Sequence, residues 1–75
     1  MIEIVAIRIW FEGNDLCLTL SNGESIIVPL SGFPRLHKAT DKQRQNWQFI
    51  GKGRGIHWAD INQDIWVTPL LRDVN

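Results

Sequence analysis

The sequence predicts an α+β domain: an antiparallel three-stranded meander over about residues 2–30, one helix over about 34–47, and one or two short C-terminal strands. Three observations carry that expectation. Apolar residues alternate with period two up to Leu30, broken twice by turn residues; helix-start signals cluster at Pro34 and Thr40; and apolar alternation returns after a glycine-rich stretch.

The first strand runs from Ile2 to Phe11, with Val5, Ile7, Ile9 and Phe11 on one side and a mixed set, Ile4, Ala6, Arg8 and Trp10, on the other. Glu12-Gly13-Asn14-Asp15 turns the chain into Leu16-Cys17-Leu18-Thr19-Leu20. Ser21-Asn22-Gly23-Glu24 then reads as a type I′ hairpin, whose central Asn-Gly suits positive φ at both positions. Counting outward pairs Leu20 with Ser25, Leu18 with Ile27 and Cys17 with Val28, while the first turn pairs Phe11 with Leu16 and Ile9 with Leu18. Ile7, Ile9, Phe11, Leu16, Leu18, Leu20 and Ile27 are therefore expected on the core face. The opposite face, with Ile4, Ala6, Trp10, Cys17, Ile26 and Val28, is too apolar to stand in water, so the C-terminal segment or a second subunit should cover it.

Pro29 and Pro34 bracket a break, and Pro34 suits the first position of a helix. Thr40-Asp41-Lys42-Gln43 fits a capping box, which allows a kink at Thr40. Trp47-Gln48-Phe49-Ile50 is the helix end or a strand, and Gly51 to Gly55 is loop. Ile56 and Trp58 alternate about His57, Ile65-Trp66-Val67 forms a last short strand, and Pro69-Leu70-Leu71-Arg72 is a helical turn or tail.

A chain of 75 residues makes one domain, 1–75, and one this short has a thin stability margin. Disulfides, metals or self-association commonly reinforce such domains. Cys17 is the single cysteine and no Cys/His cluster has zinc spacing, which leaves self-association and makes a homodimer the expectation. No apolar run approaches the ~20 residues of a membrane span and no leader pattern opens the chain, so a cytoplasmic protein that binds no membrane and no cofactor is expected.

The formal charge is zero, yet between positions 35 and 54 Arg35, Lys38, Lys42, Arg44, Lys52 and Arg54 face Asp41 alone. Gathered by the fold, they would make a basic face for a charged partner or nucleic acid; the plainer reading is the solvated surface of a helix.

The glycine-rich stretch Gly51-Lys52-Gly53-Arg54-Gly55, followed by Ile56-His57-Trp58, has the look of a site. Its amides and cations suit an anion, but no helix follows the loop as a dinucleotide motif requires, and the Lys-Ser/Thr of a P-loop is missing. A structural loop, with glycines at positive φ or under close backbone approach, is the competing reading. His57, Asp60 and Asp64, even with His37, lack metal-ligand spacing; a hydrogen-bonded histidine is the simpler account, and no catalytic or metal-binding residue is assigned. Trp10 and Trp66 are expected near an interface and Trp47 and Trp58 between helix and sheet, with core filling as the alternative for all four.

Several motifs occur together in order: Leu18-Thr19-Leu20-Ser21-Asn22-Gly23, Val28-Pro29-Leu30, Phe33-Pro34-Arg35-Leu36, Arg44-Gln45-Asn46-Trp47, Gly51-x-Gly53-x-Gly55-Ile56-His57-Trp58, Asp60-Ile61-x-x-Asp64-Ile65 and Leu70-Leu71. In this the chain resembles the small bacterial family catalogued as domain of unknown function 2442. The resemblance implies a compact α+β fold, similar to the amino-terminal domain of a two-domain protein whose other half is a repressor-like helix-turn-helix; this chain is expected to lack that half. It also implies kinship with components of small gene pairs of toxin–antitoxin type. Where the family carries a further acidic residue before the last strand, this chain has Asn62-Gln63-Asp64. A non-enzymatic interaction or regulatory module, antitoxin-like towards another small protein, is the resulting expectation, with nucleic-acid binding through the basic residues as the alternative.

Overall fold

The computed structural model describes residues 3–72 and contains two antiparallel three-stranded sheets and three short α-helices, an α+β architecture. The first sheet has strand order β1 (Ala6–Glu12), β2 (Asp15–Leu20), β3 (Ser25–Pro29). The expected strand start at Ile2 lies outside the described residues; the strand opens at Ala6.

The first hairpin has the expected register, Phe11 opposite Leu16 and Ile9 opposite Leu18. The second is shifted by one residue. Leu18 pairs with Ile26, Cys17 with Ile27 and Leu16 with Val28, because the connection is a three-residue loop and not a type I′ turn. The Gly23 amide donates to the Leu20 carbonyl at 2.9 Å and the Leu20 amide to the Glu24 carbonyl at 2.8 Å. Gly23 has φ +90 while Asn22 does not take positive φ, so Gly23 is the left-handed residue of a bulged hairpin. A one-residue slip exchanges the two faces of a strand. Ile26 and Val28 thus pack against the core, and Ile27, expected inside, stands 67% exposed.

A second irregularity lies in β1, where the register shifts between Ala6 and Arg8. The extra residue is Ile7. The bulge turns Ala6 into the core, 3% exposed, and leaves Ile7, also expected inside, 58% exposed.

The single helix expected over 34–47 is two short ones, α1 (Pro34–Lys38) and α2 (Asp41–Gln45). Between them Ala39 and Thr40 are extended, with ψ 152 and 164. Thr40 builds the expected capping box: its hydroxyl accepts from the Gln43 amide at 3.1 Å, and the Gln43 side chain accepts from the Thr40 amide at 2.9 Å. That motif starts a new helix, which is incompatible with continuing the old one through the same residue.

The remainder forms a second meander, β4 (Trp47–Ile50), β5 (Gly55–Trp58) and β6 (Gln63–Trp66), where one or two strands are expected. Val67 opens α3 (Val67–Arg72) instead of closing the strand. Ile56, Trp58, Ile65 and Val67 join Ala6, Ile9, Leu16, Leu18, Leu20, Leu30 and Leu36 in one buried cluster shared by the two sheets. The Phe11 and Trp58 rings meet edge to face at 6.4 Å across it.

Candidate interaction surface

The outer face of the first sheet is defined by the observed register as three rows running across the strands. Arg8, Thr19 and Ser25 form one row, Trp10, Cys17 and Ile27 the next, and Glu12, Asp15 and Pro29 the third. The middle row is apolar from edge to edge. Trp10 is half-buried: the Arg8 guanidinium lies 4.9 Å from its ring centroid, and its indole N–H donates to Glu12 Oε1 at 3.1 Å. Cys17, between Trp10 and Ile27, is buried. Burial pushes its thiol up from the ordinary value, and the negative charges of Glu12 and Asp15 add to the shift, so the protonated thiol packs as a small hydrophobe.

The β3 edge of this sheet is free but blunted at one end. The Leu20–Glu24 bond and the 2.9 Å bond from the Leu30 amide to the Asn14 carbonyl fix the ladder alternation, which puts the Ser25 and Ile27 amides on the free side of β3. Pro29 occupies the next outward position and has no N–H to offer. Beside that edge a groove of about 420 Å³ opens between Ile26, Val28, Phe33 and Leu70.

On the second sheet the outer face carries Gln48, His57 and Asp64 in one row and Ile50, Gly55 and Trp66 in the next. His57 Nδ1 is hydrogen-bonded to Asp64 Oδ1, an ion pair when the ring is protonated. Asp60 is elsewhere, accepting from the Asn46 side chain at 3.0 Å, and among the described residues no three His, Cys, Asp or Glu converge on one point. Trp66, 48% exposed, covers Gly55.

The glycine stretch is the β4–β5 connection. Gly51, Lys52 and Gly53 all take positive φ, and Gly53 is pressed on β1 so closely that a β-carbon there would lie 2.6 Å from the Ala6 carbonyl oxygen. The loop is a structural contact between the two sheets. The Val67 amide donates to the Arg54 carbonyl at 2.9 Å, and Arg54 Nε to Glu3 Oε1 at 2.6 Å, closing the loop from both sides.

Residues 6–74 match the family described as Protein of unknown function (DUF2442). The chain belongs to this family. Its fold is similar to that of a protein of unknown function from Rhodospirillum rubrum ATCC 11170, with a TM-score of 0.80 at 23% identity, over 96% of this chain and 89% of that one. A comparison with curated proteins finds no match.

Within this DUF2442 fold the six cations of positions 35–54 do not form one cluster. Arg44 is half-buried and tied down: its guanidinium donates to the Leu36 carbonyl at 3.1 Å and the His37 carbonyl at 2.8 Å, and its own carbonyl accepts from the Trp58 indole at 3.0 Å. Arg35 donates to the Asn62 carbonyl at 2.8 Å, tying α1 to the turn before β6. Lys38 and Lys42 project from the helices, whereas Lys52 and Arg54 sit at the far end of β4 from them. Among the described residues these three lysines have no hydrogen-bond or ion-pair partner in the chain.

The surface residues that sequence reasoning did not single out are Ile7, Ile27, Arg8 and Glu12. Arg8 and Glu12 were legible as same-face neighbours of Trp10, two positions to either side. Ile7 and Ile27 were hidden by the bulge and the register slip, both set by backbone geometry.

No helix among the described residues is long and apolar enough to cross a membrane.

Proposed function

We propose that the chain is a non-enzymatic protein-interaction module, regulatory or antitoxin-like in role, whose docking surface is the outer face of the first sheet. The observation that carries this reading is the apolar row Trp10, Cys17, Ile27, with Ile27 left exposed at its end. An apolar row of this kind, bordered by polar residues, is what a binding face offers. The free sheet edge, blunted by Pro29, is the poorer candidate.

The test is a native purification of the complex, compared with Ile27→Asp. The expected result is a particle heavier than 8.7 kDa for the wild type and the monomer mass for Ile27→Asp, whose circular dichroism stays unchanged. A wild type that is monomeric in every preparation overturns the reading. A particle whose absorbance ratio reveals nucleic acid, and which Ile27→Asp leaves intact, replaces it with the nucleic-acid alternative.

A further inference from the structure

The rows on the outer face are charged in opposite senses, and this pattern identifies the occupant. Arg8 lies on one side of the apolar row and Glu12 and Asp15 on the other. Arg8 has no hydrogen-bond or ion-pair partner among the described residues; its guanidinium stacks on Trp10, while Glu12 uses one carboxylate oxygen on the indole of the same ring. Trp10 thus holds a cation and an anion at fixed positions, two residues to either side along one strand.

Resting on the reading of this face as a docking surface, we propose that its partner is a second copy of this chain, packed face to face about a two-fold axis along the row Trp10, Cys17, Ile27. Rotation about that line keeps each strand opposite its own copy and reverses its direction. The apolar row then meets itself, Arg8 faces the other copy's Glu12, and Glu12 faces the other copy's Arg8. A single symmetric contact satisfies both charges twice, the self-complementarity that an isologous interface requires. The other in-plane axis, along the strands, places Arg8 opposite Ser25 and Glu12 opposite Pro29 and leaves the charges unmatched. Three short strands offer a small face, so the dimer belongs among the weak, concentration-dependent interfaces.

The test is sedimentation of the purified chain over a range of concentrations, with Arg8→Glu, Glu12→Arg and their equimolar mixture. The wild type is expected to move from 8.7 kDa towards twice that mass as concentration rises. Each single variant should dimerise at least about tenfold more weakly, because like charges then face each other twice. Mixing the two variants should restore association, since an all-acidic copy meets an all-basic one, which no effect within a single chain reproduces. A mixture that stays as weak as its components overturns the proposed axis. If the purified wild type is monomeric throughout while the native complex contains a different protein lost on Ile27→Asp, the second copy is overturned and the docking face stands; if both preparations are monomeric, both fall.

Discussion

Gly55 and Trp66 are opposite each other across β5 and β6, and the Trp66 ring covers the bare α-carbon so closely that a β-carbon on Gly55 would meet it at 2.7 Å. An aromatic laid across a cross-strand glycine replaces the packing that the missing side chain would supply. The same segment contains a second close approach, Gly53 on the Ala6 carbonyl, of a different kind.

Substituting these two glycines therefore has unequal effects. In Gly55→Ala the obstacle is the end of a side chain already half in solvent, and the ring swings outward for a loss of about 1 kcal/mol. In Gly53→Ala the obstacle is backbone, and φ +90 is unfavourable for any residue with a β-carbon, so more than about 2 kcal/mol is expected. Urea unfolding of both variants checks the order, and equal losses contradict it. Tryptophan emission should shift to longer wavelength in Gly55→Ala as Trp66 gains water.

Arg44 supplies a second prediction, because it acts as an internal brace. Its guanidinium binds the Leu36 and His37 carbonyls at the end of α1, and lies 5.9 Å from the Phe11 ring centroid. Arg44→Ala leaves those carbonyls unpaired and should cost about 1–3 kcal/mol, in the range of charge-assisted hydrogen bonds. Arg44→Lys recovers little, since one ammonium does not reproduce the two-pronged geometry. Full stability of Arg44→Lys in a thermal melt would show that charge alone matters at this position.

Cys17 makes stability depend on pH above neutrality. In the unfolded chain its thiol ionises near about pH 8.5, whereas in the fold burial, with Glu12 and Asp15, raises it. Below that pH both states keep the proton and the stabilisation is whole. As the pH climbs from that value towards the raised folded one, the unfolded state gains thiolate first and stability falls. Cys17→Ala starts lower because of the volume removed but lacks this decline. Urea midpoints under reducing conditions at pH 7 and pH 10 measure it; parallel loss in both proteins would assign the decline to other groups.

How much of this was legible in the chain depends on whether a feature is set by side-chain type or by backbone path. The capping box at Thr40 and Gln43 was readable because its donors and acceptors lie three residues apart. So was the first hairpin register, which the alternation about Gly13 and Asn14 imposes. The second register was not, since Asn22-Gly23 serves a two-residue turn or a three-residue bulged loop, and inward Ile26 or inward Ile27 satisfies hydrophobicity equally well. Arg44 and Arg54 illustrate the same limit for charge. Composition marks both as part of a basic segment, but Arg44 points to carbonyls eight and seven residues back, and Arg54 to a carboxylate 51 residues away.

The Arg54–Glu3 pair separates a binding role from a structural one. Both side chains are at least half-open to solvent, 56% and 50%, so in water the contact contributes under about 1 kcal/mol. It nevertheless links the β4–β5 loop to the residues before β1, where Gly53 already presses on Ala6. Arg54→Glu sets two carboxylates against each other and should lower stability modestly at low salt. Because the repulsion is exposed, it should fade as sodium chloride approaches 1 M, where the Debye length is about 3 Å. Glu3→Arg placed on the Arg54→Glu background restores the attraction with reversed polarity and should recover the wild-type midpoint at low salt. Urea titrations of the four proteins at two salt concentrations decide the matter. A loss that persists in salt and ignores Glu3→Arg would mean that Arg54 acts through loop geometry, and that the ion pair is incidental to it.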